Sequence, residues 1–403
     1  MNFSEKILKV KPSATLEINA LANSLKAKGF DVIGFGVGEP DFDTPDFIKK
    51  AGIRAIESGK TKYTPAGGID ELKEAIINKF KKDNNLEYNK SNIIVNCGGK
   101  HSFYNLMQVL LNKDDEVIIP SPYWVSYPAM VLLAGGTPVI LDSSEENNFK
   151  ITPDDVKKTI TNKTKAIVIN SPSNPTGSTY TKEELKALAE TLVNYDILII
   201  SDDMYEALLY DNNKFYNIAN INEELKKRTL VLNGVSKAYS MTGWRIGYMA
   251  GDENIIKKVD ILQSHSTSNP TSISQWAALE ALTGDQSVIS DMLNIFEKRR
   301  NLIVGKLNEI PGVSCKSPGG AFYAFPNVSG VYNSKGWQSV VKKYKSDYNS
   351  TILTSYLLEE AKVAVVPGIE FGADSNVRLS FATSDANIIN GVGKIKEAIE
   401  KLL

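Results

Sequence analysis

The sequence has few of the residues that build metal sites, with only two cysteines and two histidines among 403 residues. Cys97 and Cys315 do not have the spacing of metal ligands, and His101 and His265 are the only imidazoles available to complete a site. A structural zinc usually takes four cysteine or histidine ligands grouped by close spacing. We therefore expect no metal.

Long apolar runs and a net charge are also missing. No stretch approaches the roughly 20 apolar residues of a membrane span, and residues 1–18 lack the apolar core and cleavage site of a secretory signal. The formal net charge is -1, so no general attraction to nucleic acid or to an anionic membrane is implied. With 42% hydrophobic and 23% charged residues, the composition is that of a globular protein, which we expect to be cytoplasmic.

Short apolar runs alternate with amphipathic stretches along the first two thirds of the chain. A capping box, Thr-Lys-Glu-Glu at 181–184, opens one of the predicted helices. The alternation favours an α/β fold with a mostly parallel sheet covered by helices on both faces. Strands are predicted at 92–96, 116–120, 138–141, 166–170, 197–200 and 229–232.

The pattern changes after about residue 290, where a charged amphipathic helix is followed by short apolar runs and further helices. We therefore expect a large domain over residues 47–290 and a smaller α+β domain over residues 291–403. The N-terminal segment, residues 1–46, is expected to belong to the smaller domain.

Unusual polar residues follow four of the predicted strands. In open parallel sheets, ligands bind at the carboxyl ends of the strands, so these residues should converge on one crevice. They are Gly98 and Gly99 before a helix, Asn174, Asp202 with Tyr205, and Lys237 with Arg245.

Each of these features is weak alone, but together they describe one ligand. A helix N-terminus with glycine N–H groups and an arginine suit a phosphate. A lysine in surroundings of low polarity can lose its proton and attack a carbonyl. An acid beside it can pair with a pyridinium nitrogen, and the three requirements together match pyridoxal phosphate.

The segment GVSKAYSMTGWRIG, residues 234–247, carries the lysine and arginine and is typical of one enzyme family. The sequence resembles the class I aminotransferases, which are fold-type I pyridoxal-phosphate enzymes, and most closely their bacterial aspartate aminotransferase branch. The resemblance runs from about residue 11 to the end of the chain. The other motifs that carry it are GVGEPDFDTP (36–45), KYTPAGG (62–68), SPYWVSYP (121–128), NSPSNPTG (170–177), SDDMYE (201–206), GAFYAF (320–325) and VRLSFATS (377–384).

The resemblance implies a role for each residue that would bind the cofactor in the large domain. Lys237 would hold the cofactor covalently and move the proton, Asp202 would keep the pyridine nitrogen protonated, and Tyr205 would hydrogen-bond the phenolic oxygen together with Asn174. Trp124 would stack on the ring. The phosphate would be held by Gly98, Gly99, Lys100, Ser236 and Arg245, and by Tyr63 of a second subunit, which implies a homodimer.

The resemblance also implies how an amino-acid or 2-oxo-acid substrate is held. Arg378 would bind the α-carboxylate and Gly38 would close over it, with Trp124 and Asn174 completing the substrate site. One departure from the branch is Asp203, which stands where glutamate is usual. Because the pairing acid before it is unchanged, little is lost.

The residue that would bind a side-chain carboxylate is less clear from the sequence. The predicted helix at 101–111 contains no lysine or arginine, although Gln108 could face the substrate. Lys11 is the other candidate, and a basic residue there is linked in this branch with longer dicarboxylates such as prephenate. The alternative, a solvated N-terminal lysine, stays open.

The family resemblance favours transfer of an amino group from aspartate or glutamate to a 2-oxo acid by a ping-pong mechanism. Aromatic or prephenate transamination and a lyase reaction on the same fold are the alternatives. A regulator of this fold would carry a DNA-binding domain, for which the residues before Lys11 are too few. We expect Cys97, His101 and the aromatic residues at 320–325 to serve packing or capping.

Overall fold

The computed structural model describes residues 2–12 and 14–403 of the chain. Its helices are α1 Glu5–Leu8, α2 Ala14–Ala27, α3 Asp46–Glu57, α4 Asp70–Asn84, α5 Gly99–Leu110, α6 Ser126–Ala134, α7 Pro153–Thr159, α8 Lys182–Leu192, α9 Glu223–Lys226, α10 Glu253–Ser264, α11 Ser272–Thr283, α12 Ser287–Asn308, α13 Trp337–Tyr344, α14 Asn349–Tyr356 and α15 Asp385–Glu400. Its strands are β1 Ile33–Gly34, β2 Ile93–Asn96, β3 Glu116–Ser121, β4 Thr137–Asp142, β5 Thr164–Asn170, β6 Leu198–Asp202, β7 Thr229–Gly234, β8 Gly247–Ala250, β9 Tyr323–Ala324, β10 Val363–Ala364, β11 Val366–Pro367 and β12 Val377–Ser380.

A seven-stranded sheet forms the centre of the molecule, with the strand order β2-β8-β7-β6-β5-β3-β4. The neighbours from β7 to β4 pair in parallel, whereas β8 is antiparallel to both β2 and β7. The six strands predicted from the sequence are all present. β8 was not predicted, because its four residues directly follow the lysine segment.

Helices cover both faces of this sheet, which confirms the predicted architecture. On β2, Ile94 packs against one group of helices, while Ile93 and Val95 pack against another. The first group includes α5, α6 and α10, and the second includes α3, α4 and α11. Because adjacent strand residues point to opposite faces, the strands in the middle of the sheet are apolar throughout.

Two small sheets lie in the C-terminal part of the molecule. β9 and β11 flank β12 in an antiparallel sheet, and β1 pairs in parallel with β10. The pairing of Ile33 with Val363 attaches the N-terminal segment to the C-terminal residues. The domain boundaries at residues 46 and 290 stay a prediction.

The 22-residue helix α12 runs between the region of the large sheet and the C-terminal core. Just before its start, Gln286 accepts a hydrogen bond from the Tyr239 hydroxyl at 2.7 Å. In its middle, Arg300 forms a two-pronged ion pair with Asp211, at 2.6 and 2.7 Å. Towards its end, Leu307 belongs to the same apolar core as β9 and β12.

Within the part of the chain that the structure describes, no helix combines the length and the apolar character needed to cross a bilayer. The same residues contain no group of three or more histidine, cysteine, aspartate or glutamate side chains that could hold a metal ion.

Gln263 is a buried amide that joins the elements around the start of α5. Its Nε2 donates to the carbonyl oxygens of Ala66 and Val95, at 2.7 and 2.8 Å. Its Oε1 accepts from the amides of Asn96 and Asn105, at 2.7 and 3.2 Å. With no exposed surface, this side chain cannot exchange these bonds for water.

Replacing Gln263 with Met should lower the free energy of unfolding by about 3 kcal/mol or more, because each buried polar group that loses its partner costs roughly 1–3 kcal/mol. Urea unfolding followed by circular dichroism measures the loss. The matched control is Gln338→Met on the exposed face of α13, which should change stability by less than about 0.5 kcal/mol. Similar stabilities for the two variants would contradict the assigned role.

Candidate active site

The carboxyl ends of β5, β6 and β7 lie side by side at one edge of the large sheet. Asn174 follows β5 and is held by its backbone N–H, which donates to the Asn170 side chain at 2.9 Å. Asp202 ends β6, and Lys237 comes three residues after β7. The strand ends chosen from the sequence therefore do meet in space.

The Lys237 amine is buried in this crevice and donates a hydrogen bond to the Gly38 carbonyl at 2.6 Å. Burial lowers its pKa from 10.5 to about 8, and the nearby cations of Arg245, Arg378 and Lys100 act in the same direction. Glu39 opposes them without reversing the shift. Lys237 therefore holds its proton far less tightly than an ordinary lysine does.

The Asp202 carboxylate accepts a hydrogen bond from a residue that was not identified from the sequence. The Tyr127 hydroxyl donates to Oδ2, and the backbone N–H of Met204 donates to Oδ1 at 3.2 Å. Burial raises the pKa of the Asp202 carboxyl, while these hydrogen bonds and the Lys237 charge oppose the rise. Tyr127 lies three residues after Trp124 in the SPYWVSYP motif. Its place in that motif was the only feature of the sequence that could have identified it as a site residue.

The turn before α5 is shaped to receive an anion. Gly98 has φ +92°, and a Cβ there would lie 2.3 Å from the Arg245 Nη2 atom, so glycine lets the guanidinium approach the turn. That guanidinium donates to the carbonyl oxygens of Thr242 and Cys97, at 2.9 and 3.1 Å. The first two N–H groups of α5, those of Gly99 and Lys100, have no acceptor in the preceding turn, whereas His101 and Ser102 donate to the Gly98 carbonyl. A cation and free helix N–H groups thus stand together.

Lys100, Trp124 and Ser236 line the same crevice. The Lys100 ammonium lies 5.3 Å from the centre of the Trp124 ring, and burial together with the Arg245 charge lowers its pKa. Trp124 itself packs edge-on against Tyr127, at 5.2 Å between ring centres. Ser236 is buried directly before Lys237. These contacts hold Trp124 in a fixed orientation next to a cation.

Arg378 on β12 lies opposite these strand ends and is almost completely buried. Its guanidinium donates to the Asn174 Oδ1 at 2.9 Å and to the Gly36 carbonyl at 2.8 Å. Its Nε has no hydrogen-bond partner among the described residues. Burial lowers the Arg378 pKa. A buried guanidinium without a carboxylate has donors available for a carboxylate ligand.

Tyr205 is also buried, and its hydroxyl lies 2.8 Å from the hydroxyl of Tyr323. Burial raises the Tyr205 pKa well above its ordinary value. The sequence analysis had assigned the aromatic residues at 320–325 to the core. Tyr323 is indeed only 1% exposed, but its hydroxyl belongs to the site.

Two of the predicted site residues are not brought to the Lys237 crevice within one chain. The Tyr63 side chain is 91% exposed. Lys11 is exposed and lies near Glu370, where its charge opposes the rise of the Glu370 pKa that burial causes. Gln108 on α5 is half-buried, and its Nε2 has no hydrogen-bond partner within the described part of the chain.

The donor set fits the group implied by the sequence. The Gly98 turn with Arg245 suits a phosphate, the Lys237 amine of lowered pKa suits an aldehyde, and the Asp202 carboxylate suits a protonated ring nitrogen. The Arg378 Nε, a buried donor without an acceptor, suits a carboxylate of a second ligand. The crevice can therefore take a phosphorylated pyridine aldehyde and an amino acid side by side.

Comparison with known proteins gives the same family. The family model described as "Aminotransferase class I and II" matches residues 31–395. The aspartate aminotransferase of Bacillus subtilis (strain 168) is 53% identical over 401 residues and covers 100% of both chains. The aspartate/prephenate aminotransferase of Nitrosomonas europaea is 50% identical and covers 98% of this chain and 99% of its own.

A solved structure agrees with both relatives. The aspartate aminotransferase of Rhizobium meliloti superposes with a TM-score of 0.95 at 41% identity, covering 100% of each chain. The family match, the identities over the whole length and the arrangement of Lys237, Asp202 and Arg378 lead to one conclusion. This chain belongs to the class I and II aminotransferases.

Proposed function

We propose that the protein transfers the amino group of aspartate or glutamate to a 2-oxo acid, with pyridoxal phosphate as its cofactor. The observation that carries this proposal is the buried Lys237 amine, which interacts electrostatically with both the Asp202 carboxylate and the Arg378 guanidinium. An amine with a pKa of about 8 is neutral in roughly a fifth of the molecules near physiological pH, and only the neutral form can act as a nucleophile.

When bound, the cofactor supplies an aldehyde carbon that takes up the amino group and a ring that draws electrons from the amino acid's α-carbon. Lys237 would hold the cofactor through its amine and, when released by the substrate, would move the proton of the α-carbon. The Gly38 carbonyl orients the Lys237 amine. Burial keeps water away from the amine, so the proton passes between fixed groups.

Asp202 would hold the ring nitrogen in its protonated form. The Tyr127 hydroxyl donates to one oxygen of the Asp202 carboxylate and the Met204 N–H donates to the other. Together these hydrogen bonds fix the orientation of the carboxylate. Asn174 and Tyr205 would supply hydrogen bonds to the phenolic oxygen. These donors are in place before the ligand binds, so little reorganisation is needed.

Arg378 binds the α-carboxylate that all amino-acid and 2-oxo-acid substrates share. Its two current acceptors are neutral oxygens, those of Asn174 and Gly36. A carboxylate binds a guanidinium more strongly than such neutral acceptors do, because the hydrogen bonds are charge-assisted and two-pronged.

Two cations are candidates for the side-chain carboxylate of a dicarboxylic substrate. Lys11 was proposed from the sequence, and its exposed ammonium lies near Glu370 in the described conformation. Lys100 lies beside Trp124 and close enough to Lys237 to lower its pKa. The names of the relatives support a dicarboxylic amino acid, with prephenate as a longer alternative.

The active unit is proposed to be a homodimer. The Tyr63 side chain is 91% exposed, so a second subunit could cover it. Its loop is tied to the start of α5 through the Ala66 carbonyl, which Gln263 holds. In a homodimer Tyr63 would reach the turn before α5 in the second subunit, where the phosphate would bind.

The first test is amino transfer itself. The purified protein, loaded with pyridoxal phosphate, should convert aspartate and 2-oxoglutarate into oxaloacetate and glutamate, and Lys237→Ala should lose this activity while still binding the cofactor non-covalently. A coupled assay measures oxaloacetate, and a panel of about twenty amino acids ranks the substrates. Release of ammonia would indicate a lyase, and cofactor binding without turnover would indicate a regulator.

The second test uses the lowered pKa of Lys237. The rate at which the apoenzyme attaches pyridoxal phosphate should rise with pH and level off with a midpoint near 8, because only the neutral amine attacks. An ordinary lysine with a pKa of 10.5 would be only about 0.3% neutral at that pH. Borohydride trapping measures attachment, with Lys237→Ala as the control. A midpoint above 10 would contradict the assignment.

The third test compares Lys11 with Lys100. Lys11→Ala should lower kcat/KM for aspartate, glutamate or prephenate about tenfold more than for alanine or phenylalanine, because only the acidic substrates need a second cation. Lys9→Ala, which removes an exposed lysine close by in the chain, is the matched control. Equal losses for acidic and neutral substrates would disprove the Lys11 assignment. A selective loss in Lys100→Ala alone would transfer the role to Lys100, and Gln108 would be tested next.

A further inference from the structure

The hydrogen bond between Tyr205 and Tyr323 joins two separate sheets. Tyr205 follows β6 of the seven-stranded sheet, whereas Tyr323 lies on β9 of the C-terminal three-stranded sheet. The hydroxyl oxygens are 2.8 Å apart, and the side chains are 5% and 1% exposed. Neither hydroxyl can readily turn to water, so each depends on the other or on a bound ligand.

The ring of Tyr323 has a second contact, with Arg378. The guanidinium carbon lies 4.5 Å from the centre of the ring, within the range of a cation–π interaction. β12, which carries Arg378, pairs with β9 at Ser380 and Tyr323. The ring and the guanidinium are therefore fixed on neighbouring strands of one sheet.

The hydroxyl of Tyr323 also lies against Gly38. A Cβ on Gly38 would be 2.7 Å from that oxygen, so only glycine leaves room for the hydroxyl. The Gly38 carbonyl accepts the hydrogen bond from Lys237. The Tyr323 hydroxyl thus lies between Gly38, whose carbonyl orients Lys237, and the hydroxyl of Tyr205.

We propose that Tyr323 is a positioning residue with two separable actions, its ring holding Arg378 in place for the α-carboxylate and its hydroxyl donating to Tyr205. The direction of the second action follows from the proposed function, on which this inference rests. Tyr205 must donate its own proton to the cofactor's phenolic oxygen, so its oxygen is left to accept from Tyr323. Such a chain strengthens each donor in turn.

The proposed chain determines how tightly the phenolic oxygen holds a proton. A stronger donation from Tyr205 favours the ionised oxygen, and removal of the Tyr323 hydroxyl weakens that donation. Loss of the hydroxyl alone leaves the Tyr323 ring, which contacts Arg378, unchanged. Phenylalanine and leucine at position 323 therefore separate the two actions.

The experiment compares Tyr323→Phe and Tyr323→Leu in the loaded enzyme. Tyr323→Phe should raise the pH midpoint of the bound cofactor's absorbance change by about half a unit and lower kcat severalfold, with KM nearly unchanged. Tyr323→Leu should also weaken the binding of succinate, an unreactive dicarboxylate, by about tenfold. Tyr356→Phe is the matched control, since its hydroxyl is also buried and bonded, to the Ala398 carbonyl at 2.8 Å, and it should leave all three quantities unchanged.

A midpoint and a kcat equal to those of the unaltered enzyme in Tyr323→Phe would overturn the action of the hydroxyl. Succinate binding equal to that of the unaltered enzyme in Tyr323→Leu would overturn the action of the ring. If either variant does not fold, Tyr323→3-fluorotyrosine supplies a more acidic donor on an intact ring and should lower the midpoint, and an unchanged or raised midpoint would disprove the inference. Failure of the proposed function is distinguishable, because the unaltered enzyme would then show no cofactor titration or no amino transfer.

Discussion

The site depends on the burial of a cationic side chain, Lys237, without a carboxylate bonded to it. Among the described residues its one hydrogen bond runs to a neutral carbonyl, and three other cations act on it. Keeping a proton on this amine is costly, because burial removes the water that would stabilise the charge. Lys237 stays buried because small residues surround it and apolar strands lie behind it. The glycines of the turn before α5 are part of the same surroundings.

Burial shifts the pKa of the acid and the pKa of the base of the site in opposite directions. Burial raises the pKa of Asp202 and lowers that of Lys237, so both groups are driven towards their neutral forms. Tyr127 and the Met204 N–H restrain the shift of the acid, whereas Glu39 opposes that of the amine and three cations reinforce it. In the proposed function the carboxylate would be charged to meet a cationic ring nitrogen, and the amine would be neutral to react.

Most of the large sheet and much of the site could be predicted from the sequence, because strand ends in a parallel sheet meet at one edge. Asn174, Asp202 and Lys237 come directly after strands that the apolar pattern reveals. Tyr127 and Tyr323 could not be identified in this way. Both lie among apolar residues, where a ring that only packs has the same pattern as one whose hydroxyl donates. The contact between Tyr323 and Tyr205 also joins residues 118 positions apart, and such a pairing depends on the register of β9 with β12.

The continuous helix α12 gives the molecule a mechanical property. At 1.5 Å per residue its 22 residues form a rod of roughly 33 Å, and a tilt of about 5° at one end moves the other by roughly 3 Å. The near end is attached through Gln286 to Tyr239, two residues from Lys237, and the far end lies in the core that carries Arg378. A rod of this kind would act as a lever, in which a displacement of a few ångströms at the strand that carries Arg378 would correspond to a small rotation beside the Lys237 amine.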